Sequence, residues 1–309
     1  NKMTKKSFNQ TLYIIRLNDR GDKMAIGSIF KCMGNRTDSI PPKILEKLNI
    51  SYEEANNNAF KMAMLSKFLR GYKNNKYCTL PFCHTVEAEA FGAAVVFDRR
   101  VGNRISEYCI SRTSPTGNIK TINLSKGRIS EVLNSIKILK DNGENVILYV
   151  TGPISVATSV FESQLFYKAI KKERDKINKM LAVIEDSIVE YMFEAIERGV
   201  DIISFADPAG TMDIVGPRVY AEITGKSVYN ILKHIENKLT NTIIHLCGKT
   251  STSLEAVGLL KSERIEVDGG TYFEMIENVR KETKDIKFIG HWCLKSGEPG
   301  NGIIKCEIS

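Results

Sequence analysis

Short apolar, β-branched runs alternate along this chain with longer stretches in which apolar residues return every three or four positions. KYCTLPF (76–82), GAAVVF (92–97), NVILYV (145–150), VDIISFAD (200–207), NTIIHLC (241–247), ERIEVDG (263–269) and DIKFIGHWC (285–293) have the character of strands. Most are apolar without alternation, as strands buried on both faces of a parallel sheet must be. Helical periodicity covers 52–69, 129–141, 155–171, 175–198, 219–237, 252–261 and 272–282. In the clearest of these, Ile177, Leu181, Ile184, Ile188, Tyr191 and Ala195 share one face, and Gly199 follows as a C-terminal stop. Strand and helix repeat from about residue 145 onward with no Pro/Gly/Ser-rich linker between them, which predicts an α/β fold. A doubly wound sheet would carry a G-x-G-x-x-G or G-x-x-x-x-G-K-[ST] loop, and neither occurs. The expected fold is therefore a (β/α)8 TIM barrel, one domain over 1–309, with an N-terminal helical extension over about 1–23.

Length and composition fit that reading, because 309 residues suffice for one large α/β unit. The longest apolar stretches fall far short of the roughly 20 residues a membrane span needs, and the polar start NKMTKKSFNQ does not open into a signal-peptide core. The net charge of +8 favours acidic partners, but its basic residues sit on runs such as KKERDK (171–176) rather than in an aromatic, nucleic-acid-binding module. Seven scattered cysteines, Cys32, Cys78, Cys83, Cys109, Cys247, Cys293 and Cys306, point to a reducing, cytoplasmic setting with free or metal-bound thiols.

The chemistry should lie where barrel strands end. His245 and Cys247 are two apart at the end of IIHLC, so an imidazole and a thiol project to the same side, as half of a zinc site would. His291 and Cys293 repeat the spacing at the end of the last strand run. With the 263–269 strand between the two, the pairs would stand about 9–10 Å apart. Three protein ligands with one open position make a catalytic zinc site, whereas four make a closed structural one. The expected ligands are His245, Cys247 and Cys293, with His291, Asp268 or Glu266 as a possible fourth. Asp207 ends VDIISFAD before Pro208 and Gly210, either as a turn or helix cap or as a carboxylate facing the cavity. Glu87 and Glu89 would lie on different faces of a helix, which does not support a paired-carboxylate site. No G-x-S-x-G elbow and no C-x-x-C occurs, so serine hydrolysis and thiol exchange drop out.

LPFCHTVEAEAFGAAVVF, YVTGPISVATSVF, ISFADPAGTMDIVGPRVYAEI and IIHLCGKTSTSLEAVGLL, in that order, resemble the uroporphyrinogen decarboxylase superfamily, and within it the methylcobamide:coenzyme M (thiol) methyltransferase branch. The similarity runs from about 24 to 294. It implies a catalytic zinc on His245 and Cys247 with a distant Cys. On the same resemblance, zinc would hold an incoming thiol as a thiolate, which would take the methyl group of a methyl-corrinoid (methylcobamide) as the cobalt–carbon bond breaks and cob(I)amide leaves. In the family the second Cys lies farther downstream and Gly-Asn stands where this chain has Gly290-His291, so either Cys293 is a relocated ligand or Cys306, in GIIKC, is the fallback for it. On this reading Asp207 orients the thiol or the corrinoid edge, and Lys249 and Lys295, each two residues past a proposed Cys ligand, meet an anionic tail. The implied partners are a corrinoid protein and a small thiol or another methyl acceptor, with no nucleic acid and no membrane. The alternatives are a decarboxylase-like lyase and a non-catalytic zinc-containing barrel that binds a corrinoid protein.

Overall fold

The computed structural model describes residues 40–110, 119–283, 285–294 and 302–309, and the backbone of two strands at 14–17 and 23–26. Those two strands, β1 (Ile14–Leu17) and β2 (Lys23–Ile26), pair antiparallel. This corrects the helical extension expected over 1–23 in the part that is described. Three helices, α1 (Pro42–Leu48), α2 (Tyr52–Asn57) and α3 (Ala59–Tyr72), lead into β3 (Cys78–Leu80). After α4 (Val86–Ala90) come the hairpin strands β4 (Ala94–Val96) and β5 (Arg104–Glu107), then α5 (Gly127–Asp141) and β6 (Val146–Thr151). The helices α6 (Pro153–Val160), α7 (Ser163–Lys172) and α8 (Arg174–Glu197) cross to β7 (Ile202–Ala206). From there α9 (Met212–Val215), α10 (Pro217–Val219), a π turn and α11 (Gly225–Glu236) lead to β8 (Ile243–Leu246). The chain closes with α12 (Gly248–Ala256), β9 (Leu260–Ile265), α13 (Tyr272–Glu282), β10 (Phe288–Gly290) and β11 (Ile303–Ile308).

The main sheet has the order β3-β6-β7-β8-β10-β11-β9. From β3 to β10 every pairing is parallel, with helical crossovers between consecutive strands, as in a barrel. The C-terminal part departs from that repeat. β9 does not lie between β8 and β10; it pairs antiparallel with β11 at the sheet's far edge, and β10 lies directly against β8. The reason is in the side chains. β9 reads LKSERI and exposes Lys261, Glu263 and Arg264, which suits an edge, whereas Phe288, Ile289 and Gly290 are buried on both faces, as a central strand requires.

Alternation divides the sheet into two faces. Leu148, Ile203, Phe205, Ile244, Leu246 and Phe288 pack in one core with the apolar stripes of α5, α8 and α11, including all six residues expected on one face of α8. Ile147, Ile202, Ile243 and Ile289 form the other core, which Tyr272, Met275, Ile276 and Val279 of α13 complete. α13 runs against the strand direction. At its end, Arg280 Nη2 bonds Asp201 Oδ1 at 2.7 Å just before β7, and at its start Tyr272 meets His245 at the end of β8. Asp201 is buried, and it also accepts the Val146 N–H and Lys140 Nζ, each at 2.7 Å.

Candidate active site at the strand ends

His245 lies in register with Ser204 of β7 and Ile289 of β10, so its ring enters the core shared with α13, the inner core, opposite the outer core shared with α5, α8 and α11. The ring is 1% exposed, and neither nitrogen has a hydrogen-bond partner among the described residues. Burial lowers its pKa to about 3, so the imidazole is neutral and keeps a lone pair. Tyr272 stands edge-on against it, ring centroids 5.7 Å apart, and is itself 1% exposed with no partner for its hydroxyl among the described residues. Burial raises the phenol's pKa, with the nearby Cys306 and Cys293 thiols adding to the effect, so Tyr272 remains a donor.

Cys247 follows two residues after His245 and is half-buried at the rim. The Gly248 N–H donates to the Trp292 carbonyl at 3.0 Å, which holds the segment carrying Cys293 alongside the one carrying Cys247. Direct β8–β10 pairing sets these segments one strand spacing apart, about 4.8 Å, instead of two. The other expected ligands diverge. Cys306 pairs with Phe288, which pairs with Ile244, so its thiol belongs to the outer core, on the face opposite His245. His291 adopts a left-handed backbone, φ 66°, and its Nε2 lies 2.8 Å from Glu255 Oε2 on α12. Its own N–H bonds Ser251 Oγ at 2.8 Å, and Nδ1 has no partner among the described residues. Glu266 and Asp268 are exposed and follow the edge strand β9. Zinc, which the sequence resemblance implies, fits His245 and Cys247 as two donors: a neutral ring without a hydrogen-bond partner among the described residues, and a thiol two positions on. Among the described residues, no three His, Cys, Asp or Glu side chains converge on one point.

Asp207 is 2% exposed, and its carboxylate is fully engaged at the start of α6. Gly152 leaves that helix without a capping side chain, and Asp207 supplies one from just past the end of β7: Oδ1 accepts the Ser155 N–H and hydroxyl, both at 2.7 Å, and Oδ2 accepts the Ile154 N–H at 3.2 Å. A side chain at Gly152 would place its Cβ 2.4 Å from that of Asp207, so glycine is required there. Burial raises the Asp207 pKa to about 6, against the pull of those hydrogen bonds. Lys249 meets an anion of this chain, Asp213 Oδ2, at 3.0 Å; Lys295 lies outside the described residues. Glu87 and Glu89 have separate partners, as their spacing implies. Glu87 is buried and accepts the Thr151 N–H at 2.8 Å, while Glu89 pairs with Arg128, whose guanidinium also reaches Cys83 Sγ at 3.1 Å and Thr85 Oγ1 at 2.8 Å. Tyr272, Glu255 and Arg128 are members of this rim that motif reading passed over. In the sequence they stand on ordinary helical stretches, with no spacing that marks them.

The chain matches the model of the Uroporphyrinogen decarboxylase (URO-D) family over residues 29–294 and belongs to that family, whose fold is the TIM barrel. It is similar to the methylcobamide:CoM methyltransferase MtaA of Methanosarcina barkeri (strain Fusaro / DSM 804), 23% identical over 234 residues that cover 73% of this chain and 67% of that protein. The methylcobamide:CoM methyltransferase MtbA of Methanosarcina mazei is 26% identical over 231 residues, covering 72% and 67%. A solved methyltransferase from Methanosarcina mazei superposes with a TM-score of 0.61 at 22% identity, covering 69% of this chain and 64% of that one. The chain thus spans about two thirds of the length of these relatives. No described helix is long and apolar enough to cross a membrane.

Proposed function

We propose that this protein is a methyltransferase that moves a methyl group from a methyl-corrinoid to a small thiol, with zinc held by His245 and Cys247; Cys293, on the adjoining segment, does not converge with them in this structure and is the candidate third ligand. The observation that carries the reading is His245, a buried neutral imidazole without a hydrogen-bond partner among the described residues. It is followed two positions later by a thiol, at a strand end of a URO-D family domain whose relatives are named methylcobamide:CoM methyltransferases. When bound there, zinc supplies a Lewis acid that keeps the acceptor sulfur in its thiolate form.

The chain's own residues do the rest. His245 offers a lone pair at any working pH because burial keeps it uncharged. Cys247 and Cys293 are delivered from adjoining segments that the Gly248–Trp292 backbone bond ties together. Asp207 acts through α6, fixing the Gly152 turn beside the rim rather than touching substrate. α13 covers the inner face and excludes water from the imidazole. The corrinoid, on a corrinoid protein or free, approaches from the rim. The reading is tested by metal analysis of protein prepared without oxygen, where about one zinc per chain supports it and less than half after supplementation contradicts it. His245→Ala and Cys247→Ala should each lose both metal and methyl transfer while keeping the fold.

A further inference from the structure

Past the ends of β6 and β7 the chain builds a platform that the sheet does not need. α8 has 24 residues and is about 36 Å long, while the six-residue β6 spans about 20 Å, so the first turns of α8 stand out beyond the sheet. Two contacts put them at the end where the candidate site lies. The Tyr167 hydroxyl of α7 donates to the Ala209 carbonyl, just past β7, at 2.8 Å, and Arg174 at the start of α8 pairs with Glu222, in the π turn before α11, at 2.6 Å. Glu222 also holds Arg218 of α10 at 2.9 Å. α9 is fixed to the site's own segment, because its Asp213 pairs with Lys249, two residues past Cys247; the next residue, Ile214, is 54% exposed.

The platform is basic. Lys168, Lys171 and Lys172 of α7 and Lys179 of α8 are exposed, and among the described residues none has an acidic partner. The same stretch, 168–179, holds the carboxylates of Asp175 and of Glu173, the latter already paired with Lys176. Lys168 stands three and four positions before Lys171 and Lys172, a spacing at which like charges destabilise a helix, so nothing in the fold calls for them. α7 turns Phe166, Ala169 and Ile170 into the outer core, which leaves its outer face no apolar surface for a lipid layer. No exposed aromatic side chain stands among the lysines to stack on bases. Cations beside an exposed aliphatic side chain suit a protein surface of opposite charge.

We propose that this platform, from α7 and the start of α8 across α10 to Ile214, docks the protein that carries the methyl-corrinoid, through an acidic patch on that protein, and so presents the corrinoid to His245 and Cys247. The identity of the partner rests on the methyltransferase reading; the cations and the exposed Ile214 are observed independently of it. Opposite charge across such a surface acts chiefly on encounter and orientation, and salt weakens it.

The test uses zinc-loaded wild type, the charge-reversed Lys168→Glu/Lys171→Glu/Lys172→Glu variant, the neutralised Lys168→Gln/Lys171→Gln/Lys172→Gln variant and Ile214→Ala. The probe is a purified corrinoid-carrying protein of acidic net charge, loaded with methylcobalamin, with a short DNA duplex and phosphatidylserine vesicles as the competing polyanions. Titration calorimetry at low and at physiological salt reads the affinity. Wild type should bind the corrinoid protein more tightly at low salt, the reversed variant should lose about tenfold or more of that affinity, and the neutralised variant less. Ile214→Ala should speed dissociation. KM for the corrinoid protein should rise in each variant, while zinc content, melting temperature and methyl transfer from free methylcobalamin stay unchanged, since all these side chains are exposed. Equal affinity of wild type and both lysine variants overturns the proposal, as does a wild type that leaves the corrinoid protein unbound or binds the duplex or the vesicles more tightly. If the lysines govern binding, yet no thiol demethylates methylcobalamin, the docking surface stands and the methyltransferase reading falls. Demethylation of free methylcobalamin, with an affinity for the corrinoid protein that ignores all three lysines, has the reverse meaning.

Discussion

Replacing Asp207 by Asn separates the capping carboxylate from its charge. The native side chain accepts three hydrogen bonds at the start of α6 and has no room to move, because Gly152 and Gly210 both lie against it. Asn keeps one acceptor oxygen and turns an amide N–H₂ toward a donor. Loss of a cap of this kind costs about 1–2 kcal/mol. The pH dependence is more diagnostic. Burial raises the Asp207 pKa from 3.8 to about 6, so between those values the folded protein binds a proton that the unfolded chain does not. Stability from this group is therefore fully present below pH 3.8 and lost as pH rises through 6. The span corresponds to about 3 kcal/mol at 1.36 kcal/mol per pKa unit. Asn cannot titrate, so the stability advantage of wild type over Asp207→Asn should shrink by that order between pH 4 and pH 7. Urea unfolding of both proteins across the range measures it. A difference that is flat, or that grows with pH, would refute the assignment of Asp207 as a buried, proton-binding cap.

Arg280→Met should lower the melting temperature and cost about 3 kcal/mol, since it removes one partner of the buried Asp201 and releases the end of α13. Gly152→Ala should destabilise by about 1–3 kcal/mol, because its Cβ would meet that of Asp207 at 2.4 Å; chemical unfolding reads the loss directly. Lys249→Ala should leave thiol affinity unchanged and cost no more than about 1 kcal/mol, because the Lys249–Asp213 pair is partly exposed. Calorimetry with an anionic thiol and a melting curve check both parts.

Much of the fold was legible because burial writes itself into the strands. The continuous apolar runs at 145–150, 200–207 and 241–247 became adjacent parallel strands, and the stripe from Ile177 to Ala195 became the buried face of α8. The same logic fixed His245 on one side of β8 and Cys247 two residues on. The C-terminal part was not legible in the same way. ERIEVDG has strand composition, but its place at the edge depends on pairing with Ile303–Ile308, a contact between residues far apart in sequence; the exposed Lys261, Glu263 and Arg264 were the available signal. An amphipathic helix such as 272–282 reads identically whichever sheet face it covers, so Tyr272 gave no sign that it would stand against His245. The Lys249 expectation rested on spacing alone, and Asp213, 36 residues earlier in the chain, supplied the anion first.

Methyl transfer itself is the most direct measurement. Zinc-loaded protein, prepared without oxygen, is mixed with methylcobalamin and a panel of anionic and neutral thiols, and loss of the methyl-cobalt absorbance is followed alongside the methylated product. Zinc-dependent demethylation, fastest with an anionic thiol and abolished in Cys247→Ala, is the expected result. Demethylation no faster than without protein for every thiol, or a rate that survives complete removal of zinc, would contradict it.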